Sequence, residues 1–300
     1  MLRRSFRIPA IHAGRSGVLA RNDNLRTKAP FGAKCLMVSN PITQTAPQHT
    51  AQMRAATEAL GRILGDDLEA VYLHGSAVSA GLRPQSDIDL LAIVGQSLTD
   101  HQRDELLRAL LRLSGTHPKK PGRPRCIEVM VFHLSDLTEI SFPPRADFVY
   151  GEWMRDALAA GQRPMPTRNH EHTLILAQAR QEAMSLFGAC APELLPEIPF
   201  EQVTRAMKGS LPALLDSLPG DERNVLLTLA RMWFTACTGQ FITKDAAAAW
   251  AIPKIPDRDA AILDHARMAY RGEIVDEWGS RGGEAQRLAA RLSDGITDLL

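Results

Sequence analysis

Val71-Tyr-Leu-His-Gly-Ser-Ala-Val-Ser-Ala-Gly-Leu-Arg-Pro-Gln-Ser-Asp-Ile-Asp-Leu-Leu-Ala-Ile-Val94 reads as a strand, a glycine turn opening a helix, and a second strand that starts on two aspartates. Side chains alternate between the faces of a strand, so Asp87 and Asp89 project to one side while Ile88 and Leu90 go to the other. Acids are depleted in strands, and two of them beside an apolar run need a purpose. Paired carboxylates suit a hard cation such as Mg²⁺, which shares its coordination with substrate phosphates. Gly75 and Ser76 fit a phosphate approach: glycine lets the backbone come close, and the helix start behind it presents free N–H groups. A Gly-Ser pair alone is common in turns; the order of strand, Gly-Ser, Asp-x-Asp strand and a further acidic strand is much rarer.

Working outward, Met53, Ala56, Leu60, Ile63 and Leu64 recur at helical spacing and predict a helix over 48–64. Strands are expected at Leu68 to His74, at Asp87 to Val94 and at Cys126 to Phe132, the last placing Glu128 on the face opposite Ile127 and Val129. Thr99 to Leu113 reads as a helix capped by Thr99 or Asp100, and 117–125 as a loop. A composition shift at Gly161 to Asn169 marks a domain junction. Beyond it helices are expected over 171–187, 201–216, 221–237, 244–251, 257–271 and 284–299. The fold class is therefore α/β (α+β): a nucleotide-handling domain with a small mixed sheet over 46–162, then an all-helical domain over 163–300.

Residues 1–45 differ from the rest. They carry Arg3, Arg4, Arg7, Arg15, Arg21, Arg26, Lys28 and Lys34 against the one acid Asp23, and read as a disordered extension; Met37 is an alternative start, and a mitochondrial leader is disfavoured by poor amphipathicity. A 300-residue chain that is 45% hydrophobic and 23% charged can bury a sizeable core. No apolar run approaches the roughly 20 residues of a membrane span. Cys35, Cys126, Cys190 and Cys237 lack zinc-site or disulfide-framework spacing and are expected to be reduced thiols in a cytoplasmic protein. The net charge of +1 disfavours a nucleic-acid partner.

The pattern His74-Gly-Ser76, ten residues, Asp87-Ile-Asp-Leu-Leu91 resembles the nucleotidyltransferase superfamily. The closer resemblance is to the aminoglycoside 3''-adenylyltransferases, which modify streptomycin and spectinomycin. It extends through Ile127-Glu-Val129, Phe148-Val-Tyr-Gly-Glu-Trp153, Gly220 to Trp233, Thr238-Gly239, Lys244-Asp245 and Ala266 to Tyr270, and covers the chain from about residue 50 onward. The resemblance implies transfer of AMP from ATP to a drug hydroxyl, a small-molecule antibiotic as partner, a monomer, and two Mg²⁺ ions held by Asp87, Asp89 and Glu128. It further implies that Glu128 is the base, with a purely metal-ligating role left open. Gly75, Ser76, Ser86, Arg231, Lys244 and Tyr270 would bind ATP, and Trp153, Asp221 and Asn224 the drug. Without the resemblance, Asp221 would be read as a helix cap, and Arg231 and Lys244 as solvated charges. Relatives carry an acid shortly before the Gly-Asp-Glu-Arg segment; here Asp216 stands one place from it, which weakens the expectation for streptomycin more than for spectinomycin. Alternatives are a spectinomycin-only enzyme, a nucleotidyltransferase acting on protein or tRNA, and a non-catalytic nucleotide-binding protein, although no catalytic carboxylate is missing.

Overall fold

A computed structural model describes residues 47–79, 81–117 and 122–300, so the expectations for residues 1–45, Met37 and Cys35 lie outside the described residues. In chain order the elements are α1 (Pro47–Leu64), β1 (Leu68–His74), α2 (Ser76–Ser79), β2 (Ile88–Val94), α3 (Asp100–Leu113), β3 (Ile127–His133), α4 (Leu134–Thr138), β4 (Arg145–Ala146), β5 (Phe148–Tyr150), α5 (Arg155–Ala159), β6 (Thr167–Arg168), α6 (His170–Glu182) and β7 (Met184–Gly188). There follow α7 (Ala191–Leu194), α8 (Phe200–Asp216), α9 (Glu222–Thr238), α10 (Lys244–Ala251), α11 (Asp257–Arg271) and α12 (Gly282–Thr297).

Five strands form a mixed sheet in the order β5-β3-β2-β1-β7, with β2 and β3 parallel and the other neighbours antiparallel. Both faces are covered, which is why these strands read as nearly continuous apolar runs. On one face Val71, Leu73, Ile88, Leu90, Ala92, Ile127, Val129 and Val131 pack with Met53, Leu60, Leu106 and Leu110 of α1 and α3. On the other, Ala70, Tyr72, Leu91, Ile93, Met130 and Phe132 pack with Leu176 and Ala179 of α6. Truncating a fully buried residue such as Leu90 to alanine costs about 2–5 kcal/mol. Thr99 caps α3 in a reciprocal box with Gln102.

The helix predicted over 171–187 is a correction: α6 stops at Glu182, and Met184–Gly188 is a strand that pairs with β1. Helical periodicity runs on past the boundary, but Ala183 is extended (ψ 142°), and the outer edge of β1 offers unpaired backbone groups that a strand satisfies. At Gly188 a Cβ would lie 2.1 Å from the Glu69 carbonyl oxygen, so only glycine permits this approach.

The remaining helices pack around a second core of Val225, Leu226, Leu229, Leu263, Leu288 and Leu292. Asp259, fully buried, ties α11 to α12 by accepting from Arg287 Nε at 3.2 Å and Arg291 Nε at 2.7 Å. Among the described residues no helix is long and apolar enough to cross a membrane, and Cys126, Cys190 and Cys237 form no disulfide.

Candidate active site

The acidic side of the site is set by strand register. His74 at the end of β1 faces Asp89 near the start of β2, and Asp89 faces Glu128 near the start of β3. Adjacent strands lie about 5 Å apart, and all three residues share the face of Tyr72, Leu91 and Met130, so their side chains stand in a row. Asp87, just before β2, hydrogen-bonds Glu128. Crowding and burial show in the proton affinities. Burial, followed by the charges of Asp89 and Asp87, holds the Glu128 carboxyl well above the usual range. Burial pushes Asp89 up to about 6, against the pull of Lys244 and Arg231. His74 is pushed down to about 4 by burial, and so is neutral at pH 7. Gly75 adopts φ 67°, and a Cβ there would lie 2.2 Å from Asp89 Oδ2; a side chain would evict the carboxylate.

The cationic side comes from the helical half. Lys244 is the first residue of α10, whose Thr243 caps it by accepting from the Ala246 N–H. Arg231 lies midway along α9 and Tyr270 near the end of α11. Burial, then Arg231, drives the Lys244 amine down to about 8, while Asp221 and Asp89 pull it up. Burial also lowers Arg231, which feels Glu182, Tyr270, Asp89 and Glu171. Tyr270 shares a hydrogen bond with Ser86.

Gly75, Ser86, Asp87, Asp89, Glu128, Arg231, Lys244 and Tyr270 are thus brought together. Ser76 opens α2 beside Gly75. Asp221 precedes α9 without capping it; its Oδ1 accepts from Asn224 Nδ2 at 2.8 Å, and its charge reaches Lys244. Trp153 is 40% exposed and follows β5, where Tyr150 faces Val129; the chain reaches it three residues beyond the strand position next to Glu128. Its ring covers Gly151, where a Cβ would meet it at 2.1 Å. Asp216 lies exposed at the end of α8.

Sequence reasoning missed four contributors. Glu171 and Glu182 on α6 face Arg231, and burial raises both carboxyls. Arg125 is buried and donates from Nη1 to the carbonyl oxygens of Arg83 (2.8 Å) and Ser86 (2.6 Å). Asp245 pairs with Arg83 at 2.8 Å. A charged residue among apolar helix neighbours, as Arg231 is one turn from both Leu227 and Phe234, is the one signal that could have prompted a search for buried partners.

The donor set fits a hard cation. Asp87, Asp89 and Glu128 offer only carboxylate oxygens, and their mutual repulsion is what a divalent ion would relieve. Among the described residues no three His, Cys, Asp or Glu side chains are grouped closely enough to hold an ion by themselves.

Residues 193–294 match the C-terminal domain family of aminoglycoside adenylyltransferases. A spectinomycin 9-adenylyltransferase from Campylobacter jejuni is 42% identical over 256 residues, covering 85% of this chain and 96% of the relative. The chain belongs to the aminoglycoside adenylyltransferase family. It is an enzyme, and its reaction is adenylyl transfer. A second member, the aminoglycoside (3'') (9) adenylyltransferase of Escherichia coli, is 34% identical, with 84% of this chain and 96% of the relative aligned. The crystal structure of a spectinomycin adenyltransferase from Enterococcus with ATP and spectinomycin superposes on this adenylyltransferase with a TM-score of 0.78 at 30% identity, covering 83% of this chain and 99% of that one.

Proposed function

We propose that the enzyme transfers AMP from ATP to the 9-hydroxyl of spectinomycin and the 3''-hydroxyl of streptomycin, releasing pyrophosphate and conferring resistance to both. The observation that carries this reading is the position of Glu128, beside Asp89 on the next strand and hydrogen-bonded to Asp87, with Lys244 and Arg231 within electrostatic reach. The drug hydroxyl oxygen attacks the α-phosphorus in line with the departing pyrophosphate; the bond to the α-phosphorus forms as the α–β bridge breaks, and the hydroxyl proton passes to Glu128. Mg²⁺ ions held by Asp87, Asp89 and Glu128 would supply charge neutralisation at the triphosphate. Gly75 and Ser76 admit the phosphates, Ser86 and Tyr270 contact the nucleotide, and Lys244 and Arg231 neutralise the triphosphate charge. A carboxyl accepts the proton only while deprotonated; at Glu128 burial and the charges of Asp89 and Asp87 oppose that form, and Lys244 favours it.

Trp153 would cover a ring of the drug and attract its cationic groups, with Asp221 and Asn224 holding an ammonium or guanidinium. In this arrangement the unit expected over 46–162, extended by α6 and β7, which pack on and complete its sheet, carries out the transfer, and the helices from α8 onward close over it, in a monomeric cytoplasmic enzyme that takes no nucleic acid. Expression in a sensitive bacterium, read by disc susceptibility, tests the reading. Resistance to both drugs is expected; resistance to spectinomycin alone would make this a single-drug enzyme, and unchanged sensitivity to both would overturn the proposal.

A further inference from the structure

The turn between α2 and β2 touches the helical half at three points. Arg83 Nη2 lies 2.8 Å from Asp245 Oδ2, a pair that is only 27% and 14% exposed. Three residues on, Ser86 shares a hydrogen bond with Tyr270, and Pro84 sits so close to Gly272 that a Cβ there would lie 2.6 Å from Pro84 Cγ. Each end of the ion pair is held in place. Asp245 accepts from Thr243 Oγ1 at 2.8 Å, and the Arg83 carbonyl accepts from Arg125 while its N–H donates to Ser86 Oγ at 3.0 Å. Asp245 directly follows Lys244, and Ser86 directly precedes Asp87. One contact therefore links the loop that leads into the acidic strand to the helix start that carries the triphosphate lysine.

We propose that Arg83 and Asp245 form a clasp that positions Lys244 against Asp87 and Asp89, making both of them positioning residues for ATP. The proposal rests on the adenylyl-transfer reading for its substrate. Neither residue need touch the nucleotide: a misplacement of about 1 Å caused by a remote substitution can cost about a hundredfold in rate, and the same displacement of a cation weakens its hold on the triphosphate. A role through charge alone predicts a different sign. Removing Asp245 would delete a negative charge near the triphosphate and tighten ATP, whereas loss of a clasp weakens it.

The test is ATP affinity by titration calorimetry with Mg²⁺, alongside steady-state kinetics, for wild type, Arg83→Ala, Asp245→Ala, the double variant and Arg83→Lys. A clasp weakens ATP about tenfold in each alanine variant, leaves the KM for spectinomycin within about twofold, and makes the double variant no worse than either single one. Lysine at 83 recovers part of the loss, and melting temperatures stay within a few degrees. ATP affinity unchanged in Arg83→Ala, tightened in Asp245→Ala, or lost additively in the double variant would overturn the clasp. A wild-type protein that binds ATP yet transfers no AMP to either drug would overturn the acceptor assignment instead, and the affinities would still decide the clasp.

Discussion

The two sides of the site are held by different means. On the acidic side, His74, Asp89 and Glu128 occupy adjacent rungs of a hydrogen-bonded ladder, fixed to within the spacing of neighbouring strands. On the cationic side, Lys244, Arg231 and Tyr270 come from three helices and reach the acids only through helix packing and the contacts at Arg83, Pro84 and Ser86. A ladder can hold like charges together against their repulsion, since no rung can move without its neighbours. A helix bundle can bring opposite charges in from the far end of the chain. The acids are consequently the electrostatically strained partner, and the cations offset part of that strain.

The largest effect expected from breaking this asymmetry is at Glu128. Glu128→Gln keeps the shape of the side chain and removes the base, so AMP transfer falls on the order of 10³-fold while ATP affinity stays within a few-fold, read by single-turnover kinetics and calorimetry. Lys244→Ala is the matching cut on the other side. Losing a charge-assisted bond worth about 1.5–3 kcal/mol raises the KM for ATP roughly 10- to 100-fold, with a smaller change in the KM for drug.

A smaller effect follows from pH. The Lys244 amine, lowered to about 8, is charged below that pH and neutral above it, so the KM for ATP rises several-fold between pH 7 and 9 in wild type; Lys244→Ala shows a flat profile over the same range. The smallest effect is on stability. Asp89, at about 6 against an ordinary 3.8, costs the fold stability once it is charged, and Asp89→Asn removes that cost. With chelator present, the melting temperature of Asp89→Asn rises by a few degrees at pH 8, and the gain fades as the pH falls from about 6 through 3.8, below which the carboxyl is protonated in the folded and unfolded states alike.

The same asymmetry explains what could be read from the sequence. Strand geometry was enough to set Asp89 opposite Ile88 and Leu90, and Glu128 opposite Ile127 and Val129, because a strand fixes its side-chain directions locally; that the two acids share a face comes from the register of β2 with β3. Helix α10 begins and ends at the bounds expected for it, 244–251. Periodicity erred at 184–188, where the open edge of β1 decided the outcome and no local signal reported it. For Arg231 and Tyr270 the residues alone supported nothing beyond solvated or core positions; family resemblance picked them out, and the structure brings them to the acids. Glu171, Glu182 and Arg125 escaped altogether, since their partners are set by packing between segments distant in sequence.

The most direct measurement is mass spectrometry of spectinomycin and streptomycin after incubation with ATP, Mg²⁺ and either wild type or Glu128→Gln. Wild type should add one adenylyl group to each drug and release pyrophosphate, while the variant leaves both drugs at their starting mass on the same timescale. Unmodified drugs with wild type, or equal modification by the variant, would contradict adenylyl transfer through a Glu128 base.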